Sequence, residues 1–164
     1  MIDDGSPEGA AAGERAKRFV ADNMLGRLAR WLRMMGYDTL YVKSGDDREI
    51  ADISAREGRV LLTRDRQLTL RKGVIALYIG EVDLEKQLEH VAREFSLSFR
   101  EKEMRCSDCN GVLRDAAPDE VRSHVPDGVL GRNDRFCICT SCSKIYWRGS
   151  HWNRIADVAS RCCP

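Results

Sequence analysis

No stretch of this chain approaches the ~20 consecutive apolar residues that a membrane span needs. The N-terminus carries no apolar segment either, so a secretory leader is not expected. Neither sign of charge is in excess: 27 Lys and Arg face 26 Asp and Glu, for a net charge of +1. Global charge thus gives no reason to expect a polyanionic partner, and local charge must decide that question. There is no internal repeat. The one biased segment is residues 1–16, rich in Gly, Ala and acid with no apolar period, which reads as a disordered tail. What is present is 164 residues, 43% hydrophobic and 32% charged. That suffices for one core of ~100–150 residues and a small appended module.

The seven cysteines carry the strongest motif. Cys106 and Cys109, and again Cys139 and Cys142, have the C-x-x-C spacing that lets two thiolates grip one face of a tetrahedral zinc ion. Four soft ligands leave no open position, so the site reads as structural. A redox dithiol is the rival reading. Cys137 is a weaker substitute for Cys139, because its spacing to Cys142 is C-x4-C. Positions 110–138 separate the pairs, and these 29 residues exceed the ~15–20 of a compact zinc module. The excess is expected as a loop around residues 118–134. Cys162 and Cys163 fall at a chain end expected to fray, with no role assigned. Nothing directs export, so the cysteines point to metal and to a reducing, cytoplasmic location.

Ahead of the cysteines, apolar residues alternate between two periods. Short runs at 18–21, 39–42, 59–63 and 74–79 read as strands. Helical spacing governs 24–35, the segment leading to Gly58, and 83–95, with a short irregular piece reaching Lys72. Alternation of strand and helix predicts an α/β fold: a parallel sheet flanked by helices. The division expected is residues 17–97 for this unit and 98–164 for a zinc ribbon with a closing helix near 152–161.

Parallel sheets bind ligands beyond the carboxyl ends of their strands. Asp22 follows the first strand and Asp65 the third. Asp46, Asp47 and Glu49 open the second helix, whose N-terminus returns to the same edge. Carboxylates gathered on one rim repel unless a cation neutralises them, and hard oxygen ligands suit Mg²⁺ or Mn²⁺. Such an ion activates water for phosphodiester hydrolysis. The plainer reading of each Asp is a helix cap.

Arg27, Arg30 and Arg33 lie on the first helix with no acid between Asn23 and Tyr37. Arg27 and Arg30 suit a phosphate clamp; a solvated helix face is the alternative. From Arg135 to Arg154 there is again no acid. There Lys144, Arg148 and His151 interleave with Tyr146, Trp147 and Trp152, as in surfaces that track a phosphate backbone and stack on bases. Tyr146 and Trp147 serve equally as the small core around the zinc.

Residues 19–36 (FVADNMLGRLARWLRMMG), 59–65 (RVLLTRD), 105–110 (RCSDCN) and 146–151 (YWRGSH) resemble the Mut-seven C-terminal ribonuclease family. The resemblance covers roughly residues 17–155. It implies a PIN-like nuclease domain followed by a zinc ribbon, and metal-dependent cleavage of RNA. The family's acidic positions fall on Asp22, Asp47 and Asp65. Arg66 stands where a second acid would sit beside Asp65, which leaves Glu49 and the weaker Asp83 as fourth-ligand candidates. The leading expectation is an endonucleolytic ribonuclease with structural Zn²⁺ and catalytic Mg²⁺ or Mn²⁺, acting on single-stranded or structured RNA. A non-catalytic adaptor for RNA, the ribosome or another RNA complex is the alternative. A zinc-stabilised protein-interaction module is the third.

Overall fold

The computed structural model describes residues 17–163, with position 151 described by its backbone alone; the reading of residues 1–16 as a tail lies outside the described residues. The first unit contains β1 (Phe19–Ala21), α1 (Gly26–Met34), β2 (Thr39–Tyr41), α2 (Asp47–Glu57) and β3 (Val60–Thr63). It continues through α3 (Arg66–Thr69), β4 (Ala76–Tyr78) and α4 (Leu84–Phe95). The four strands are all parallel and ordered β2-β1-β3-β4. This is the α/β sheet expected from the alternating pattern.

The two central strands, β1 and β3, are buried on both faces, so they read as apolar runs, while the edge strands β2 and β4 are half-buried. Side chains of period two divide them. Phe19, Ala21, Val60 and Leu62 join α1 and α4 residues in the larger core. Val20 and Leu61 face the other way, into a smaller core with Ile50 of α2 and Leu68 of α3. Edge-to-face contacts of Phe19 with Tyr37 and Phe95 (centroids 6.1 and 5.5 Å apart) fill the larger core. Helix α2 ends at Gly58, whose φ of 62° is the left-handed cap that favours glycine.

The second unit is a three-stranded antiparallel sheet of β5 (Leu113–Ala116), β6 (Phe136–Cys139) and β7 (Ile145–Trp147), in that order. The long spacer between the cysteine pairs is not a simple loop. It contains α5 (Pro118–Val121) and α6 (Asp127–Leu130), and Val121, Val125 and Phe136 form a core of their own. Pro118 opens α5, where its missing N–H costs nothing. The apolar residues that build this core are too sparse in sequence to show a helical period.

The last helix, α7 (Ser150–Cys162), does not close the ribbon. Its Val158, Ala159 and Cys162 pack into the larger core with Leu88, Val91 and Ala92 of α4. Cys162 is therefore buried rather than frayed. Arg161 reaches Glu85 of α4 at 3.1 Å.

Arg33 joins the two units. Its spacing groups it with Arg27 and Arg30 on one basic face, yet it is 5% exposed. A helix turns ~100° per residue, so three-residue spacing carries Arg33 round from the exposed side of Arg27 and Arg30. Its guanidinium donates to the carbonyl oxygens of Thr39 (2.8 Å), Ser107 (2.9 Å) and Asp108 (3.1 Å). The last two lie between the first pair of cysteines. Asn110 completes the seam: its Oδ1 accepts from Thr39 N (3.0 Å), and its Nδ2 donates to Asp38 Oδ1 (2.7 Å).

Replacing Arg33 by Met keeps the bulk but strands three carbonyls. The expected result is a loss of about 3 kcal/mol or more in chemical unfolding, since hydrogen bonds to charged groups contribute about 1.5–3 kcal/mol each. A variant as stable as the wild type would remove Arg33 from its place at the seam.

Candidate active-site rim and metal centre

The four predicted zinc ligands come together. Among the described residues, Cys106, Cys109, Cys139 and Cys142 are the group of three or more metal-binding side chains with ligand atoms within 4.8 Å of one another. Sγ of Cys106 lies 3.6 Å from that of Cys142, and Sγ of Cys109 lies 3.4 Å from that of Cys139. A tetrahedral zinc with Zn–S bonds of about 2.3 Å separates its sulfurs by about 3.8 Å, so the cluster is compatible with this ion. Cys137 instead points to Asp115 Oδ1 (3.6 Å), which settles Cys139 as the member of the second pair. Burial raises the Cys106 thiol, but hydrogen bonding to Tyr146 and to the backbone at Cys109 and Asp108 outweighs it and brings the thiol down to about 6. Tyr146 is thereby a packing residue of this centre. Its hydroxyl is 3.0 Å from Cys106 Sγ and accepts from Ser107 N (3.1 Å).

The acidic positions lie on the carboxyl edge of the parallel sheet. In the order β2-β1-β3-β4 the connections run outward in opposite directions from β1 and β3. The crevice beyond those two strand ends is the topological switch point, where open α/β sheets take their ligands. Asp22 stands directly after β1 and is 5% exposed. Its Oδ2 accepts from Thr63 Oγ1 (2.7 Å) and Arg64 N (2.8 Å), and its Oδ1 accepts from Met24 N (2.9 Å). Thr63 in turn accepts from Asp65 N (2.9 Å). A continuous relay thus runs from Asp65 through Thr63 to Asp22, linking the two central strand ends.

Asp65 caps α3 by accepting from Gln67 N (2.7 Å). Asp46, not Asp47, caps α2 by accepting from Glu49 N (2.8 Å). Asp47 is exposed at the first position of α2. Asp83 caps α4 through Lys86 N (3.1 Å), so this fourth-ligand candidate has a structural task.

The three aspartates share the rim without closing into a three-carboxylate cage: among the described residues, only the four thiols bring three or more ligand atoms within 4.8 Å of one another. The donor chemistry still fits a hard cation. Asp22 accepts three hydrogen bonds, and a carboxylate has about four lone-pair positions, so one remains. Mg²⁺ keeps several waters and commonly takes one or two carboxylates plus substrate phosphates. An open, hydrated site of that kind matches this rim.

The expected nucleic-acid contacts are distributed differently. Arg30 pairs with Asp108 (3.2 Å), and Lys144 pairs with the other oxygen of Asp108 (2.6 Å). Arg148 pairs with Glu101 and lies 5.2 Å from the Trp152 ring. Exposed pairs of this type contribute only ~0–1 kcal/mol, so a phosphate can take over these cations at little cost. Arg27 is exposed on α1. The His151 side chain lies outside those described.

Thr63 and the backbone N–H of Arg64 are the rim elements that sequence reasoning missed. The signal was a hydroxyl residue ending a buried strand two positions before Asp65. Oxygen at that depth requires a partner, and Asp22 supplies one.

Asparagine at position 22 has one acceptor oxygen and cannot serve donors on both sides. Asp22→Asn should therefore lower stability by about 1–3 kcal/mol without any ligand, as an unsatisfied buried donor does. Asp47→Asn should stay within about 0.5 kcal/mol, as surface changes do. Thermal or urea denaturation of the two variants checks the contrast. For the second centre, elemental analysis should find one zinc per chain, lost in Cys106→Ser and Cys139→Ser and retained in Cys137→Ser.

The chain is 27% identical over 222 residues to the human (Homo sapiens) protein called exonuclease mut-7 homolog. The match covers 87% of this chain and 25% of that protein, so the chain spans about a quarter of its length. No solved structure matches. The family model described as the Mut7-C RNAse domain matches residues 17–159, covering the rim and the cysteine centre together, and supports a nuclease function. The chain belongs to the Mut7-C RNAse domain family.

Proposed function

We propose that this protein is a metal-dependent ribonuclease that cuts RNA phosphodiesters at the carboxyl rim of its parallel sheet. The observation that carries the reading is the relay joining Asp22, Thr63 and Asp65 across the switch point, with Asp47 on the neighbouring helix start. Asp22, Asp47 and Asp65 would hold Mg²⁺ or Mn²⁺. Bound there, such an ion supplies an activated water and neutralises charge developing on the phosphoryl group.

The chain's own part is positioning. Thr63 and the Arg64 amide fix the Asp22 carboxylate in one orientation, so it loses little freedom when it engages a ligand. Asp65 is held at the head of α3 by its cap bond, and Asp47 by the first turn of α2. Arg27 and Arg30 on α1 would draw the RNA backbone toward the rim. Lys144, Arg148 and His151 would extend that track over the ribbon, exchanging acid partners for phosphates. Zn²⁺ in the ribbon holds these cations in place and takes no part in the reaction.

We read the cut as endonucleolytic, because an open rim admits a strand that runs past it in both directions. The human relative is named an exonuclease, but this chain spans only a quarter of it. We place the protein in a reducing cytoplasmic compartment, where thiolates stay available for metal. Ribosomes or other RNA assemblies are the natural sources of its substrate.

The test is cleavage of end-labelled and circular single-stranded RNA by zinc-loaded protein, with and without Mn²⁺ or Mg²⁺. Cleavage of both substrates only with the divalent ion is expected. Asp65→Asn keeps the fold, since Asn caps a helix as well as Asp does, and Asp47→Asn changes only an exposed side chain that caps nothing. Each should lower the rate by more than the 10- to 100-fold typical of losing an outer-shell partner. Equal rates in wild type and both variants would defeat the reading. Salt-sensitive RNA binding with no divalent-dependent cleavage would favour the adaptor function instead.

A further inference from the structure

The residue after Asp65 is an arginine where a further acid would have extended the metal site. Arg66 is exposed and makes no ion pair among the described residues. It is nevertheless held in place: its guanidinium carbon lies 4.2 Å from the centroid of the Tyr78 ring, well within cation–π range. Tyr78 ends β4, and the parallel register pairs it with Thr63, whose hydroxyl links the Asp22 carboxylate to the Asp65 backbone amide. Paired residues on adjacent strands share a face about 4.8 Å apart. Tyr78 therefore stands one strand beyond Thr63, and about two strand spacings from β1, where Asp22 is attached. Gly80 makes room for the ring, since a Cβ there would lie 3.0 Å from Tyr78 Cε1. Tyr41 ends β2 but packs against the opposite core, so the ring and cation pair is confined to one end of the rim.

A guanidinium laid on an aromatic ring keeps its edge donors free, and the fork matches two oxygens of a phosphate. Because the ring restrains the side chain beforehand, less rotamer freedom is lost on binding. We infer that Arg66, stacked on Tyr78, is a phosphate-binding subsite that holds the backbone of single-stranded RNA one step away from the cut. The inference rests on the ribonuclease reading and adds the residue that sets the strand's path across β4. A single strand is favoured because Tyr78 is attached only about two strand spacings, about 10 Å, from the strand that carries Asp22, a span along which a flexible strand can bend.

The test is a fluorescence-anisotropy titration of labelled single-stranded RNA with the full zinc-loaded chain, without added Mg²⁺ or Mn²⁺ and at several salt concentrations. Arg66→Ala should bind about tenfold or more weakly, as loss of a charged hydrogen-bonding group does. Its salt slope should fall by about 0.7, the value for one released phosphate contact on a single strand. Arg66→Lys should restore the slope but not the full affinity. Tyr78→Phe should match wild type, and Tyr78→Leu should weaken binding about two- to fivefold. A purely structural role for Arg66 would leave the slope unchanged. Wild-type affinity and slope in Arg66→Ala would overturn the subsite, as would an equal dependence on Arg66 for duplex RNA. If wild type cuts RNA while Arg66→Ala binds normally, the subsite alone falls. If binding depends on Arg66 but no divalent ion supports cutting, the ribonuclease reading falls and the subsite stands. Wild-type protein that neither binds nor cuts would end both.

Discussion

A buried guanidinium, that of Arg33, ties the two units of this molecule together. The Arg33 guanidinium leaves water and receives in return three carbonyl oxygens, one from β2 and two from the loop between Cys106 and Cys109. Burial lowers its pKa, which the nearby thiols and Asp108 partly offset. The arrangement is tolerable because the buried charge is hydrogen-bonded through both Nε and Nη1, as a buried charge must be. Beside it, Asp38 meets Arg59 at 2.8 Å and Asn110 at 2.7 Å. Burial raises the Asp38 carboxyl, yet these bonds keep it below its usual range. That stabilisation is present above the ordinary carboxylate range and is lost as acid protonates Asp38.

The rim depends on the same economy of hydrogen bonds. Asp22 is ordered by two backbone amides and one hydroxyl from separate segments, so its position is set before any ligand arrives. Asp65 and Asp46 each close the head of a helix. Capping and ligand binding are therefore not competing explanations at Asp65. A cap fixes one oxygen and leaves the other available, and the same residue serves both ends. Asp47 is relieved of capping by its neighbour and remains exposed.

The sheet was legible because β-branched and apolar runs with helical intervals have no other economical packing. The zinc centre was legible because thiolate spacing is nearly sufficient by itself. The placement of Asp22 and Asp65 on one edge followed from strand direction alone. Other features were hidden for identifiable reasons. Arg33 looked like its neighbours because a three-residue spacing rotates slowly, and only tertiary packing shows which member turns inward. The helices α5 and α6 span four residues each, too few for a period to emerge. Arg30, Lys144 and Arg148 read as free cations because their partners, Asp108 and Glu101, are distant in sequence from one or more of them. The relay through Thr63 is a contact between segments 41 positions apart, which no local pattern encodes.

The return of α7 onto α4 has a consequence for how the chain can be divided. The ribbon leaves the α/β unit after α4 and comes back to it through α7, so it is tethered at both its entrance and its exit. Cutting the gene at the apparent boundary near residue 97 would strip Val158, Ala159 and Cys162 from the flank of α4 and leave a greasy scar. The two halves are consecutive when translated yet interleaved when folded, and neither is a natural unit for grafting or domain exchange.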